Sequence, residues 1–482
     1  MAGPLQKKAF WGMIWSAAGN FSLQLIGFVV GVQLARILTP DDYGLVGMLT
    51  IFTAIASCMI DSGMGNALVR KPDRTEVDCS TVYYFSIATA LLMYAVLFVA
   101  APYIADFYNQ PALCDLTRVL CLTLVIGPLA GVQGTKLYID LQFKKNSAIS
   151  VATAIVGGVV GVTCAYLGCG VWSLVYMQLA SSILRVLLTW LVVRWVPLRV
   201  FSRQSFRELF GFGSKLLASA ILDQTYNNIR PLLIGKVYSG AELGYYTRAN
   251  QYASLPATTT SGLLRGVTYP LLCKLQHDDD ILREKYRLLI RLSAFVVFPL
   301  LMGLAAVAEP CIVVLITDKW LPCVQLLQIL CFALMWYPVH ALNLNLLQVK
   351  GRSDLILKLE VIKKIMGVTM LVITVPISVT AMCYGAMVTS LLSLGVNTYY
   401  AGKLIQVGFF RQMGDLLPIF LLSLAMGVGV WCLVTFLPLS PILQLAVGIP
   451  AGALIYVVGA TLFRLPELTE SWQLIRNNLR RA

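Results

Sequence analysis

Asp223, Asn227 and Arg230 follow one another at i, i+4 and i+7 inside an otherwise apolar stretch. At 100° per residue these positions form one stripe on one face of a helix. Ionised groups at membrane depth are costly and usually face a bundle interior or a wet cavity, so the stripe predicts a polar cavity. It belongs to the first of two long helices expected over 211–235 and 244–272, joined by the turn from Lys236 to Gly244. The second helix adds Arg248 and Arg265, 17 residues apart, or about 25 Å of helix. Guanidinium groups grip phosphates bidentately, which suits an anionic, phosphate-bearing ligand. Two plainer readings stand beside this one. Arg230 can pair with Asp223 to hold the helices together, and Arg265 can snorkel to headgroups. In the first apolar stretch the polar positions are Asn20, Gln24 and Gln33, and no carboxylate accompanies them. A proton- or sodium-coupled drug exporter more naturally places an acid there, so its absence argues mildly against that class.

These residues need a scaffold, and the composition names it. Of 482 residues, 58% are hydrophobic and only 12% charged, against about 25% charged in a soluble domain. Apolar runs long enough to cross a bilayer recur through the chain, without the alternation of a barrel strand. The expected fold is an all-α polytopic membrane protein of about fourteen transmembrane helices: two pseudo-symmetric six-helix bundles plus two C-terminal helices. The spans are drawn at 9–35, 43–62, 81–103, 115–139, 148–168 and 171–196. They continue at 211–235, 244–272, 286–308, 325–349, 355–377, 382–405, 416–437 and 441–463. The corresponding domains are an N-terminal lobe 1–196, an amphipathic cytoplasmic linker 197–210, a second lobe 211–405, and 406–482 with two further spans and a basic tail. Within the linker, Arg199, Arg203, Arg207 and Glu208 interleave with Phe201, Phe206 and Phe210, the pattern of a helix lying in the membrane interface. Around 309–322 the apolar run is too short to span.

The formal net charge of +14 reads as cytoplasmic loop anchoring rather than nucleic-acid binding. One set of loops holds 19 basic residues, among them Lys7, Lys8, Arg70, Lys71, Arg74, Lys144, Lys145, Lys350, Arg352, Arg476, Arg480 and Arg481, whereas the alternate set holds three, Arg36, Lys236 and Lys319. Both termini are therefore expected in the cytoplasm. An internal repeat is also visible: Ala35–Gly44 matches Gly235–Gly244 at an offset of 200, which sets Gln24 over Gln224. Leu141–Ser147 matches Leu347–Ser353 at an offset of 206. Two such copies with the same orientation are expected to be related by an axis along the membrane normal.

Catalytic and cofactor motifs are missing. No phosphate-binding G-x-x-x-x-G-K-[ST] loop and no C-x-x-C pair occurs, so neither a nucleotide, zinc nor an iron–sulfur cofactor is expected. The two histidines, His277 beside Asp278–Asp280 and His340 within a span, read as a solvated loop and a packed residue.

Four segments carry a resemblance. Lys7–Ser16 and Leu34-Ala35-Arg36-Ile37-Leu38-Thr39-Pro40-Asp41-Asp42-Tyr43-Gly44 resemble the polysaccharide-export flippases of the Wzx and TuaB type. So do Asp61-Ser62-Gly63-Met64-Gly65-Asn66-Ala67-Leu68-Val69 and Gly244-Tyr245-Tyr246-Thr247-Arg248-Ala249. The superfamily also holds multidrug exporters and lipid II flippases. The resemblance implies a two-lobed, alternating-access, non-enzymatic transporter in the bacterial inner membrane. Its substrate would be an undecaprenyl-pyrophosphate-linked oligosaccharide for surface polysaccharide or lipopolysaccharide, with spans 1, 2, 7 and 8 lining a cationic cavity. Candidate substrate-binding residues are Arg248, Arg230, Arg265, Asp223, Asn227, Gln24, Asn20 and Gln224. Expected partners are the lipid-linked oligosaccharide, membrane lipids, and a polymerase or glycosyltransferases of the same pathway; no coupling ion is indicated. The alternatives are a multidrug or amphiphile exporter of the same fold and, less simply, a glycan polymerase or ligase, for which the outer loops are too short.

The charge bias generates a topology test. Single cysteines at positions 78 and 280 should label only from the cytoplasm and one at 109 only from outside; labelling of 109 from within would break the span assignment.

Overall fold

A computed structural model describes residues 4–470, with the side chains at 4–10, 13, 14, 263–267, 270 and 353 excepted. The side chains of Lys7, Lys8 and Arg265, and the tail with Arg476, Arg480 and Arg481, therefore lie outside the described residues. No strand occurs among the described residues, as expected where lipid-exposed backbone must satisfy itself. The chain divides into two compact units, Met1–Gly244 and Tyr245–Ala482.

The first unit contains α1 Pro4–Ile37, α2 Pro40–Asp61, α3 Met64–Arg70, α4 Glu76–Tyr108, α5 Ala112–Leu120 and α6 Leu122–Ile126. It continues with α7 Gly131–Ile139, α8 Phe143–Tyr166, α9 Trp172–Val193 and α10 Arg203–Val237. The next helix, α11 Gly240–Lys274, begins in this unit and passes into the second. The second unit then holds α12 Asp279–Ala306, α13 Ala308–Ile316, α14 Cys323–Leu334 and α15 Tyr337–Val349. After these come α16 Ser353–Thr374, α17 Val379–Ile405, α18 Phe409–Phe436 and α19 Pro441–Leu462. Among the described residues, eleven helical stretches are long and apolar enough to cross a membrane. The long helices α10, α11 and α16 are not among the eleven. They include the stripe helix with Lys215, Asp223, Arg230 and Lys236, and α16 with Lys358, Glu360, Lys363 and Lys364. Fourteen spans are reached only if these polar helices are counted.

Local capping explains where the helices begin. Thr39 accepts from the Asp42 amide at 3.3 Å while the Asp42 carboxylate accepts from the Thr39 amide at 2.8 Å. Thr75 and Asp78 form the same reciprocal box at the start of α4. The aligned position 200 residues beyond Thr39 repeats half of this box, for Ser239 Oγ accepts from the Glu242 amide at 3.2 Å. The first match of the repeat is thus structural.

The second match has shifted. The turn after α7 is closed by Leu141 N→Tyr138 O and Gln142 N→Leu137 O, with Leu141 at positive φ. Its counterpart after α15 is closed by Gly351 N→Gln348 O and Arg352 N→Leu347 O, with Gly351 at positive φ. These turns correspond at an offset of 210, four residues or about one helical turn from the 206 suggested by residue identity. At the same offset Pro128 falls on Pro338, and each stands at a break in the fourth span of its repeat. A proline offers no N–H to the helix ladder, so both fourth spans interrupt there.

The stretch expected as linker runs irregularly to Ser202 and is helical without interruption from Arg203 through Val237. Phe206 and Phe210 pack against the buried cluster of Met64, Leu68, Val82, Tyr83 and Leu209. Around it, Lys71 bonds Glu208 at 3.1 Å and Asp78 at 3.2 Å, and Lys136 bonds Glu76 at 2.7 Å. Glu208 and then Asp78 hold the Lys71 ammonium above its ordinary pKa range despite partial burial. Asp78 is itself buried, which makes position 73, exposed in the same loop, the better labelling site.

The helix starts of α2 and α11 touch backbone to backbone within the first unit. A Cβ on Gly44 would overlap the Gly240 carbonyl, and one on Gly244 would overlap the Pro40 carbonyl. Gly44→Ala and Gly244→Ala should each force these turns apart, costing about 1–3 kcal/mol as overpacking does. Gly27→Ala meets nothing within 4 Å and serves as the control. Thermal unfolding of the purified variants checks this, and equal midpoints for all three would refute the contact.

Candidate functional site

The candidate residues sort by helix. On α1, Asn20 and Gln24 are exposed, one helical turn apart, beside an outward row of Phe21, Leu25 and Val29. The opposite face of α1 packs on α8, where Ser147 Oγ donates to Trp15 O at 3.1 Å and Lys144 stands 4.9 Å over the Trp15 ring. Packing thus leaves Asn20 and Gln24 on the side of α1 that α8 does not cover.

On α10, Asp223 and Asn227 are exposed and Arg230 is half-buried. The neighbouring row joins Asn228 to Gln224, the amide Nδ2 donating to the Gln224 carbonyl at 2.8 Å and to its Oε1 at 3.2 Å. Pro231 follows directly and carries no N–H, so the Asn227 carbonyl lacks its usual helical donor. Polar side chains and a freed carbonyl therefore share one stretch of α10. The far end of the helix is fixed, since Lys236 donates to Phe107 O and stands over the Phe107 ring at 4.6 Å. A cation there meets the negative end of α4.

On α11, Arg248 is buried, only 4% exposed, and donates to Gln251 Oε1 at 2.6 Å. It lies one turn beyond Gly244. The backbone at Arg265 continues the helix. The structure thus brings Asp223, Gln224, Asn227 and Arg230 onto one helix, keeps Asn20 and Gln24 together on another, and sets Arg248 apart in a buried position.

Two features escaped the sequence reading. An open pocket of about 250 Å³ lies in the first unit, with exposed Asp61 and Ser57 and half-buried Ser86, Thr123 and Thr135 in its wall. The residues Ser62-Gly63 after Asp61, both at positive φ, were the available signal. In the second unit Arg287 forks onto Asp415 at 2.7 and 2.5 Å, and Arg291 reaches buried Glu467 at 3.3 Å. Burial pushes the Glu467 carboxyl above its ordinary range. His340, read from the sequence as a packed residue, lies within hydrogen-bond distance of Ser390 Oγ at 3.3 Å and Asn397 Nδ2 at 3.1 Å.

Residues 33–325 match the family described as "Polysaccharide biosynthesis protein". The teichuronic acid biosynthesis protein TuaB of Bacillus subtilis (strain 168) is 26% identical over 459 residues, covering 94% of this chain and 95% of its own. The lipopolysaccharide biosynthesis protein WzxC of Escherichia coli (strain K12) is 25% identical over 445 residues, covering 88% of each. Among solved structures, lipid II flippase MurJ in an inward closed conformation gives a TM-score of 0.73 at 13% identity, covering 93% of this chain and 98% of that one. An inward-facing multidrug resistance transporter of the MATE family gives 0.62 at 15% identity, covering 80% and 96%. These likenesses establish an all-helical membrane-transporter fold. With more than half its length matched, the chain belongs to the polysaccharide biosynthesis protein family.

Proposed function

We propose that the chain flips a polyprenyl-pyrophosphate-linked oligosaccharide across the bacterial inner membrane by alternating access, for surface polysaccharide synthesis. The lipid tail stays in the bilayer while pyrophosphate and glycan pass a cationic cavity lined by α1, α2, α10 and α11. In this reading 1–196 and 211–405 act as the two moving lobes, 197–210 joins them, and 406–482 is appended, with both termini cytoplasmic. The observation that carries it is the polarity of α10 and α11, two 35-residue helices outside the set apolar enough to span on composition alone. A polar face on so long a membrane helix is tolerated where it lines a wet path. Relatives named for teichuronic acid and lipopolysaccharide synthesis, and a fold neighbour named a lipid II flippase, support a glycan-bearing lipid as cargo. In this scheme Arg248 is the first candidate to meet the pyrophosphate.

Replacing Arg230, Arg248 or Arg265 by Ala should each remove a charge-assisted hydrogen bond worth roughly 1.5–3 kcal/mol, or about 10- to 150-fold in affinity. Lys should restore part of it, keeping charge but losing the fork. Build-up of glycolipid on the inner leaflet, at matched protein abundance, is the readout. A structural Arg230–Asp223 role predicts instead low abundance of either single variant and rescue by exchanging the two residues. Normal flipping by all three Ala variants would end the phosphate-gripping role.

A further inference from the structure

The last turn of α8 and the short connection to α9 each carry a cysteine. The helix closes in a two-bond cap. Gly168 N returns to Ala165 O at 3.1 Å and Cys169 N reaches back to Cys164 O at 3.1 Å, with Gly168 at positive φ. In such a cap the side chains of the first and sixth residues meet, a place commonly taken by an apolar pair. Here that pair is Cys164 and Cys169. We propose that these two thiols are a site of oxidative modification and form a disulfide at the outer face of the membrane.

Three observations carry the assignment. The first is reach. A disulfide joins Cα atoms about 4.4–6.8 Å apart, and the backbone bond from Cys169 to Cys164 holds the two residues side by side. Their thiols already hydrogen-bond one another, so closing the S–S bond asks for little more than side-chain rotation. The second is access. Both cysteines are half-buried, and Tyr166, Leu167 and Gly168 between them are exposed. Trp172 stacks on Tyr176 at 6.0 Å just beyond the turn, and with Tyr166 these are aromatic residues of the kind that mark the boundary between lipid and water. The third is the side of the membrane. Gly170 packs beside the start of α2, since a Cβ there would stand 3.6 Å from Asp42 Oδ1. The turns on this side carry only Arg36 and Lys236, the basic-poor character of an outer face. This placement rests on the topology adopted in the proposed function. Thiols on the outer side of a bacterial inner membrane meet an oxidising compartment, whereas cytosolic thiols are kept reduced.

The chemistry is thiol–disulfide exchange with a protein or small-molecule disulfide on that face. One cysteine, as its thiolate, attacks a sulfur of the oxidant. The oxidant's S–S bond breaks and its other sulfur leaves as a thiolate. The second cysteine's thiolate then attacks the sulfur of the first, forming the Cys164–Cys169 bond and expelling the oxidant's remaining sulfur. The chain loses two protons and two electrons, and the oxidant gains them as two thiols. The product ties the end of α8 to the start of α9 in the turn that lies against α2. The corresponding turn of the second unit, between α16 and α17, holds Pro376 and no cysteine. Proline stiffens that turn by fixing φ, and in the first unit a covalent bond performs the same task.

Full-length protein made in bacterial cells would be quenched in acid, denatured and alkylated with a mass-adding maleimide, with and without prior reduction. The unreduced chain should take up two fewer tags than the twelve of the reduced chain, and its peptide covering 164–169 should be two hydrogens lighter. Cys164→Ser and Cys169→Ser should each erase the difference. Equal tagging of the wild-type chain with and without reductant overturns the proposal, as does a missing pair that maps to other cysteines. The wild-type measurement stands whether or not either variant folds. A membrane-impermeant maleimide applied to intact cells making Cys164→Ser then separates the two readings, because the freed Cys169 should label from outside. Labelling of Cys169 only after the cells are opened overturns the disulfide and the topology together. Labelling from outside beside a reduced wild-type pair overturns the disulfide alone and leaves the proposed function standing.

Discussion

Inside a bilayer an amide without a partner costs several kcal/mol, because no water can take the place of a missing hydrogen bond. Every departure from regular helix in this chain is shaped by that cost. Where α2 ends, Ser62 N returns to Cys58 O at 2.8 Å, the Ser62 hydroxyl caps Met59 O, and Gly63 O accepts from Ala67 N at 3.1 Å. The exposed side of that corner is covered by α10, whose Gly213 approaches too closely to admit a Cβ. The chain breaks its helices where another backbone can lie against the break. Glycine is needed there for proximity as well as for conformation.

Charge obeys the same logic. Most ion pairs are found at helix ends, as with Lys71, Lys136, Lys350 and Arg352, where water is within reach and each exposed pair adds little stability. One less exposed pair, Arg287 with Asp415, is forked, and losing one partner there would strand a charge. Against this background the polar run on α10 is unusual, because it places Asp223, Asn227 and Arg230 in mid-helix beside a proline. In the proposed function this run faces the polar cargo.

The all-helical fold was legible because length and apolarity are local properties of the sequence. The seam at 309–322 was recognised as too short to span, and α13 is indeed a helix of only nine residues. The stripe on α10 was legible for the same reason, since helical periodicity requires only neighbours in sequence. What could not be read depends on residues far apart. Arg287 and Asp415 are 128 residues apart and neither lies in a motif. The cavity by Asp61 draws on four separate segments. The burial of Arg248 against Gln251 is an intermediate case, an i, i+3 pair whose depth depends on everything packed around it.

The repeat shows how such information is lost. Corresponding helix starts stand 200 residues apart at Thr39 and Ser239 and 203 apart at Thr75 and Asp278. They reach 210 at the turns after α7 and α15, then fall to 207 at the caps of α9 and α17. The seven residues gained between the third and fourth spans coincide with the α13 segment of the second unit. Identity at an offset of 206 was therefore a register error, plausible because a slip of four residues preserves the face of a helix. Both fourth spans keep their proline and their break, and in the second copy the rings of Trp336, Phe298 and Phe420 pack beside it. A break retained in both copies is explained by folding geometry.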